Sequence, residues 1–162
     1  MLLGVVSDTH NNLKSIDRII SIFNEKEVIA VVHTGDITNV KSLKKFTQLN
    51  CNLYGVYGNN DREEAGLKEE VEKNSFRFEE PPLLINKNEI KIAIFHEPDW
   101  IENFLIDNEV DIVLHGHTHR YRKEIVEDTL IFNPGESAGL LKGKNAIGLI
   151  DLKSLEAERI FF

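Results

Sequence analysis

The first sixty residues alternate between short apolar runs and amphipathic stretches, and each apolar run ends at a polar cluster. Residues 2–6, 28–34 and 53–57 are rich in branched apolar residues and predict strands covered on both faces. Between them, apolar residues recur at helical spacing after Asn12 and Asn39, which can cap helices. This order predicts parallel strands joined by right-handed crossovers. Because ligands of such sheets bind beyond the carboxyl ends of the strands, the polar clusters are the candidate site.

After Pro81-Pro82 the pattern changes to short strands separated by turns, and no linker marks a boundary. We therefore predict a second sheet within a single domain of residues 1–162. Residues 62–73 predict a short exposed helix or an irregular loop. The strands predicted beyond Pro82 are 83–85, 90–95, 111–114, 121–126, 130–132, 146–150 and 155–162.

One helix is predicted beyond Pro82, and it begins at Asp99. Glu102 stands three residues later, which is the spacing of a capping box. Trp100 and Leu105 are placed on its apolar side, so Trp100 is expected to pack rather than to stack on a nucleobase.

The charge and cysteine content exclude some classes of protein. The net charge of −8 opposes binding to duplex nucleic acid and to acidic membranes. The single cysteine, Cys51, rules out an intramolecular disulfide and is expected to be a buried thiol. No apolar run is long enough to span a bilayer, and no secretory leader is visible, so we expect a cytoplasmic protein, a monomer or a small homo-oligomer.

The polar clusters at the predicted strand ends have the composition of a metal site. A lone Asp-x-His is most simply a polar turn, but here Asp8 and His10 are matched by His117 and His119, also two residues apart and on one side of an extended chain. Three or four such ligands would satisfy one zinc ion, whereas seven with a shared carboxylate suit two divalent cations with open positions for water. The candidate ligands are Asp8, His10, Asp36, Asn59, His96, His117 and His119.

These motifs, in this order, resemble the blocks of the calcineurin-like metallophosphoesterases. The matching segments are residues 8–10, 35–36, 58–61, 96 and 116–119, and the resemblance extends to the Asn-Pro-Gly turn at 133–135. Chain length and the early Asp-Thr-His are most similar to the small single-domain phosphodiesterases of archaea and bacteria. The resemblance implies an α/β fold, a four-layer αββα sandwich of two mixed β-sheets flanked by helices.

The resemblance also implies roles for the ligands. Asp36 would bridge two metals, with Asp8, His10 and His119 on one metal and Asn59, His96 and His117 on the other. A hydroxide held between the metals would attack phosphorus in line, and imidazoles such as those of His96 and His117 would help to stabilise charge on the phosphoryl oxygens. Mn²⁺ is the first candidate metal, with Ni²⁺, Mg²⁺, Fe²⁺ and Zn²⁺ as alternatives.

The sequence departs from the family pattern at two positions. Many relatives have histidine where this chain has Asn60, and that histidine is thought to protonate the leaving group. An amide cannot act as a general acid near neutral pH, so a bias toward diesters or activated monoesters is expected. Glu97 replaces a common glycine, and it is interpreted as a solvated loop residue, with a role in shaping the substrate pocket as the alternative.

Four further residues are weighed outside the ligand set. His33 and His115 are expected to be packed or hydrogen-bonded histidines rather than ligands. Asp61 is expected to orient a ligand or cap a turn, and the role of Glu136 is left open.

The leading functional hypothesis is a metal-dependent phosphodiesterase acting on a small phosphodiester. The alternatives are a phosphomonoesterase or nucleotide pyrophosphatase using the same site, and a non-catalytic scaffold similar to a retromer subunit. The complete ligand set speaks against the scaffold, whose ligand set departs from the pattern.

Overall fold

The computed structural model describes residues 1–162 and contains two mixed β-sheets. The first sheet has six strands in the order β11-β10-β1-β2-β3-β4, in which β1 to β4 are parallel and β10 and β11 are antiparallel to their neighbours. Its strands are β1 Leu2–Val6, β2 Ala30–His33, β3 Asn52–Val56, β4 Arg77–Glu79, β10 Ala146–Asp151 and β11 Glu156–Phe161.

The second sheet has five strands in the order β5-β6-β7-β9-β8, with β6, β7 and β9 parallel to one another. It begins after the cis Pro81-Pro82 bond, where the sequence predicts a second sheet. Its strands are β5 Leu83–Lys87, β6 Ile90–Ile94, β7 Ile112–Leu114, β8 Arg122–Val126 and β9 Thr129–Asn133.

The two sheets pack face to face and helices cover their outer faces. Residues such as Val5, Val32, Ile94 and Leu114 form the core between the sheets. A second core lies between the first sheet and α1 to α3, and a smaller one lies between the second sheet and α4. The predicted four-layer αββα sandwich is therefore confirmed. The helices are α1 Leu13–Glu25, α2 Val40–Lys45, α3 Leu67–Lys73 and α4 Ile101–Asp107.

Both predicted helix caps of the first half are present. The side chain of Asn12 accepts a hydrogen bond from the Ser15 amide at the start of α1, and that of Asn39 accepts one from Ser42 at the start of α2. Each cap satisfies an amide that the helix itself leaves unpaired. Both helices therefore begin just beyond the strand-end clusters.

The prediction for the start of α4 is wrong. Residues Pro98–Trp100 form a 3₁₀ turn that Pro98 opens, so Asp99 lies inside this turn and caps no helix. Trp100 is 67% exposed rather than packed. The short strand β4 is an element that periodicity does not predict, because Phe78 is its only buried residue.

The chain returns to the first sheet at its end. Strand β10 pairs with β1, and β11 forms the outer edge beyond it. At the edge of the second sheet, β8 carries the exposed Lys123 and the partly buried Arg122. The longest helix has 13 residues, and no helix combines the length and apolarity needed to cross a bilayer.

Candidate metal centre

Five parallel strands deliver the candidate ligands to one end of the sandwich. In the first sheet, Asp8 and His10 follow β1, Asp36 follows β2 and Asn59 follows β3. In the second sheet, the segments after β6 and β7 supply the remaining three, His96, His117 and His119. The seven predicted side chains are therefore brought to the carboxyl ends of the strands, where ligands of such sheets bind.

Asp8, His10 and His119 form one group, which we call the Asp8 cluster. Their ligand atoms lie within 4.8 Å of one another. His119 Nε2 is 3.3 Å from Asp8 Oδ1, and the rings of His10 and His119 are 5.6 Å apart. Burial raises the pKa of Asp8, but hydrogen bonds from His119 and Ser7 outweigh it and hold the pKa below its ordinary value. The same bond to Asp8 raises the pKa of His119.

Asn59, His96 and His117 form a second group, the Asn59 cluster. Asn59 Oδ1 lies 3.0 Å from His96 Nε2 and 3.1 Å from His117 Nδ1, and the two imidazole rings are 5.0 Å apart. His96 is buried, whereas Asn59 and His117 are exposed. This cluster contains no carboxylate of its own.

Asp36 lies between the two clusters. Its Oδ1 is 3.5 Å from His96 Nε2, and ligand atoms of Asp8, Asp36 and His96 lie within 4.8 Å of one another. Asn60 donates to both carboxylate oxygens of Asp36, from its backbone amide at 3.0 Å and from its side-chain amide at 2.8 Å. Asn60 therefore holds the shared carboxylate rather than standing free at the site.

The backbone at these positions is strained. Asp8, His10, Asp36, His117 and His119 all have positive φ, between 44° and 65°, in a region that residues other than glycine seldom adopt. Each such residue costs about 1–3 kcal/mol, and such strain concentrates at functional sites. The extended chain predicted for residues 8–10 and 117–119 is therefore wrong, although the side chains of Asp8, His10 and His119 do converge.

Two glycines allow the backbone segments of the site to approach closely. A Cβ atom at Gly58 would overlap the Asp36 carboxylate, and one at Gly116 would overlap Ser7 and Asp8. Glycine is thus required at both positions by the close approach of the ligand segments.

The donor set fits divalent cations. His10 Nε2 is buried and has no hydrogen-bond partner, and the buried Asp8 Oδ1 lies 3.3 Å from His119 Nε2. His96 Nδ1 donates to the carbonyl of Thr34 at 2.8 Å, so in the neutral ring the lone pair of Nε2 faces the oxygen of Asn59. A cation between these two atoms would satisfy both, as would the Asn59 amide turned to present its nitrogen. The imidazole, carboxylate and amide groups are ligands that transition metals accept.

Hydrogen bonds around the ligands hold them in place. The carboxylate of Asp61 accepts from the backbone amides of Asp36, Thr38 and Gly58 at 2.6–2.8 Å. Burial raises the pKa of Asp61, although these amides oppose the shift. Asp61 thus fixes the loops around Asp36, which is the orienting role expected of it.

Two further supports were not identified from the sequence. Ser7 donates to Asp8, and the hydroxyl of Thr38 lies 3.2 Å from His10 Nδ1. In the sequence, Ser7 is adjacent to Asp8, and Thr38 lies two residues after Asp36. No other sequence signal marks these two hydroxyl groups as supports.

The other two buried histidines, His33 and His115, are packed and hydrogen-bonded, as expected. His33 contacts the Thr9 hydroxyl at 2.9 Å and accepts from the Gly35 amide, and burial lowers its pKa to about 3. Burial lowers the pKa of His115 to about 4. Neither belongs to the groups of ligand atoms that converge on the site.

The structure corrects the expectations for Glu97 and Cys51 and shows the burial of Glu136, whose role the sequence leaves open. Glu97 is half-buried, and both its oxygens lie 3.4 Å from the guanidinium of Arg62, so it is not a free solvated loop residue. Glu136 is fully buried. Cys51 is only partly buried, and burial raises its thiol pKa.

Comparison with known proteins identifies relatives along the full chain. The family model of the calcineurin-like phosphoesterase superfamily domain matches residues 1–155. A phosphodiesterase of Methanocaldococcus jannaschii is 36% identical, and the alignment covers 99% of this chain and 98% of that protein.

Solved structures show the same fold. The structure of an archaeal phosphodiesterase superposes with a TM-score of 0.91 at 34% identity, and the match covers 100% of both chains. Vps29 of Entamoeba histolytica, solved in complex with Zn²⁺, superposes with a TM-score of 0.71 at 18% identity and covers 99% of both chains. At 18% identity, the similarity to Vps29 shows a shared fold and no more.

Proposed function

The chain belongs to the calcineurin-like phosphoesterase superfamily and is a phosphoric ester hydrolase, and from that premise we propose that it is a metal-dependent phosphodiesterase acting on a small phosphodiester. The observation that carries the proposal is the convergence of two ligand clusters on one shared carboxylate, Asp36. The similarity to an archaeal phosphodiesterase in both sequence and structure supports the choice of a diester.

We propose that each cluster holds one divalent cation. Asp8, His10 and His119 would hold the first, Asn59, His96 and His117 the second, and Asp36 would be shared. Two such cations supply a hydroxide nucleophile near neutral pH and positive charge for the phosphoryl oxygens. Mn²⁺ is the first candidate, and Ni²⁺, Mg²⁺, Fe²⁺ and Zn²⁺ are alternatives, since affinity alone does not select among them.

The protein contributes orientation. Thr34 and Thr38 fix the rings of His96 and His10, and Asn60 and Asp61 fix Asp36. His96 and His117, which face the Asn59 oxygen, would act on the phosphoryl group through the cation that they hold.

Asn60 supports the preference for diesters. Its side-chain amide donates to Asp36, and an amide has no proton to give near neutral pH. Esters whose leaving group needs a proton would therefore react slowly, and activated esters would react well.

The test compares bis(p-nitrophenyl) phosphate with p-nitrophenyl phosphate, using metal-stripped protein with and without Mn²⁺. Turnover of the diester that requires metal and exceeds turnover of the monoester is expected. Asn60→His should then raise hydrolysis of an alkyl ester with a poor leaving group by about 10²-fold, since an added general acid contributes 10²–10⁴-fold.

Two outcomes would replace the proposal. Dominant turnover of the monoester would assign a phosphomonoesterase or pyrophosphatase. No divalent metal bound under any condition, measured by calorimetry, would favour the non-catalytic scaffold.

A further inference from the structure

A loop beside the Asp8 cluster has an organisation that the proposed reaction does not use. This rim loop covers residues 138–145, and its base is closed by hydrogen bonds from the Ala146 amide to the Glu136 carbonyl at 3.1 Å and from the Ser137 hydroxyl to the Ala146 carbonyl at 2.9 Å. The side chain of Asn12 donates to the Ala138 carbonyl at 2.7 Å. The rim loop is therefore attached to the segment that carries the candidate ligand His10.

The rim loop is wound around a buried carboxylate. Glu136 is 0% exposed and forms no ion pair with lysine or arginine. Its oxygens accept from the backbone amides of Gly139, Leu140 and Leu141 at 2.9, 3.4 and 3.0 Å. A buried charge requires such partners, and amides directed at one carboxylate fix the path of the backbone that carries them.

This backbone path presents two leucines to solvent. Leu140 is 65% exposed and Leu141 is 56% exposed, and Lys142 and Lys144 follow them. Single exposed leucines are common, but this adjacent pair lies on a loop that is tied to the segment of a candidate ligand. Beside the proposed metal centre, such a pair fits a ligand that is anionic at one end and apolar at the other.

We propose that Leu140 and Leu141 form an apolar subsite for the ester group of the substrate. The substrate class is then a phosphodiester that carries an alkyl or aryl group beside its phosphate. Glu136 is a positioning residue that acts through the rim loop. This inference rests on the proposed function.

The first test is an equilibrium measurement on Mn²⁺-loaded protein. Methyl phosphate and butyl phosphate, which are products of such diesters, are titrated by calorimetry. Butyl phosphate is expected to bind about tenfold tighter, because three further methylenes are partly buried against the leucines. Equal affinity for the two phosphates would overturn the subsite.

Substitutions test whether the butyl-to-methyl preference arises at Leu140 and Leu141. The double substitution Leu140→Ser and Leu141→Ser should reduce the butyl-to-methyl preference to about one. Leu84→Ser is the matched control, because Leu84 is 49% exposed on β5, a strand that supplies no candidate ligand. A preference that survives the double substitution, or that Leu84→Ser also abolishes, would overturn the assignment.

The second test separates the subsite from the reaction. Methyl and butyl p-nitrophenyl phosphate share a leaving group, and their kcat/KM ratio should show the same preference as product binding. Absence of turnover with the binding preference intact would overturn the proposed function and leave the subsite. Turnover without a butyl-to-methyl preference in binding or rate would overturn the subsite and leave the proposed function.

Glu136→Gln tests the positioning role. The weaker acceptor should accelerate amide hydrogen exchange at residues 139–141 and lower the butyl-to-methyl preference. Faster exchange with an unchanged preference would show that Glu136 stabilises the loop without serving the subsite.

Discussion

The Asp8 cluster and the Asn59 cluster differ in charge although each has three candidate ligands. The Asp8 cluster contains a fully buried carboxylate whose Oδ1 faces His119. The Asn59 cluster contains only neutral ligands, and its negative charge comes from the shared Asp36. A cation in the first cluster would meet two carboxylates, and a cation in the second would meet one.

Because of this difference, the two clusters are expected to bind their cations with different affinities. Since attraction between a cation and a carboxylate a few ångströms away is worth several kcal/mol, we expect the Asp8 cluster to fill first and the Asn59 cluster to fill at higher metal concentration. The following predictions test that asymmetry.

The largest effect is expected from Asp36→Ala, because it removes the charge that both clusters share. Both metal-binding steps should weaken, and kcat/KM for the diester should fall by about 10³-fold or more. Asp17→Ala, at an exposed carboxylate of α1 that pairs with Lys45, is the control and should keep full activity. Activity within tenfold of the parent in Asp36→Ala would contradict the shared role.

The next effect comes from altering the charge of each cluster alone. Asp8→Asn should weaken the tighter step on the order of 100-fold, whereas Asn59→Asp should tighten the weaker step and bring the two together. Calorimetric titration with Mn²⁺ resolves the steps. If Asp8→Asn changes only the weaker step, the order of filling is reversed.

A smaller effect, equal for both clusters, is expected from Asp61→Asn. The carboxylate accepts three backbone amides around Asp36, so its loss should lower the free energy of unfolding by about 1–3 kcal/mol. Both metal-binding steps should weaken together by about tenfold. Denaturant unfolding of the metal-free protein and calorimetry measure the two quantities, and weakening of one step alone would argue against an effect through Asp36.

The smallest effect expected is the release of a proton from His119 when metal binds. Asp8 raises the pKa of His119, so the folded metal-free protein keeps a proton on His119 above pH 6.5, where the unfolded chain loses it. The ion pair therefore stabilises the fold fully below pH 6.5, and this stability is lost as the pH rises through the raised pKa. Metal binding must displace the proton, so affinity at the Asp8 cluster should rise with pH across the same range.

Calorimetry of Mn²⁺ binding in two buffers of different ionisation enthalpy measures this proton. A fraction of a proton should be released at pH 7 in the tighter step, and His119→Asn should abolish the release. Proton release that persists in His119→Asn would assign the proton to another group.

The sequence predicts two sheets and the candidate ligands because both depend on local patterns, whereas the four-layer sandwich follows from the family resemblance. Asp8, Asp36 and Asn59 lie two or three residues beyond the ends of their strands, and parallel strands carry such positions to one edge of a sheet. The helices after Asn12 and Asn39 follow from caps and apolar spacing. Each of these features can be read within about fifteen residues.

The features that were missed depend on contacts between distant segments. Strand β4 forms because Arg77–Glu79 pairs with β3, and three residues are too few to show a periodic pattern in the sequence. The capping box at Asp99 is absent because Pro98 opens a 3₁₀ turn first. The bond between Asn60 and Asp36 joins two loops, and the burial of Glu136 depends on the closure of the rim loop.

The place of β1 in the first sheet has a consequence for synthesis of the chain. Strand β1 is translated well before its partner β10, which pairs Asp151 with Leu2. On the ribosome, the strand that leads to Asp8 can pair with β2 on one side while its other edge stays open, and open edges recruit foreign strands. A nascent chain that stalls before β10 is therefore expected to aggregate through the strand that leads into its metal centre.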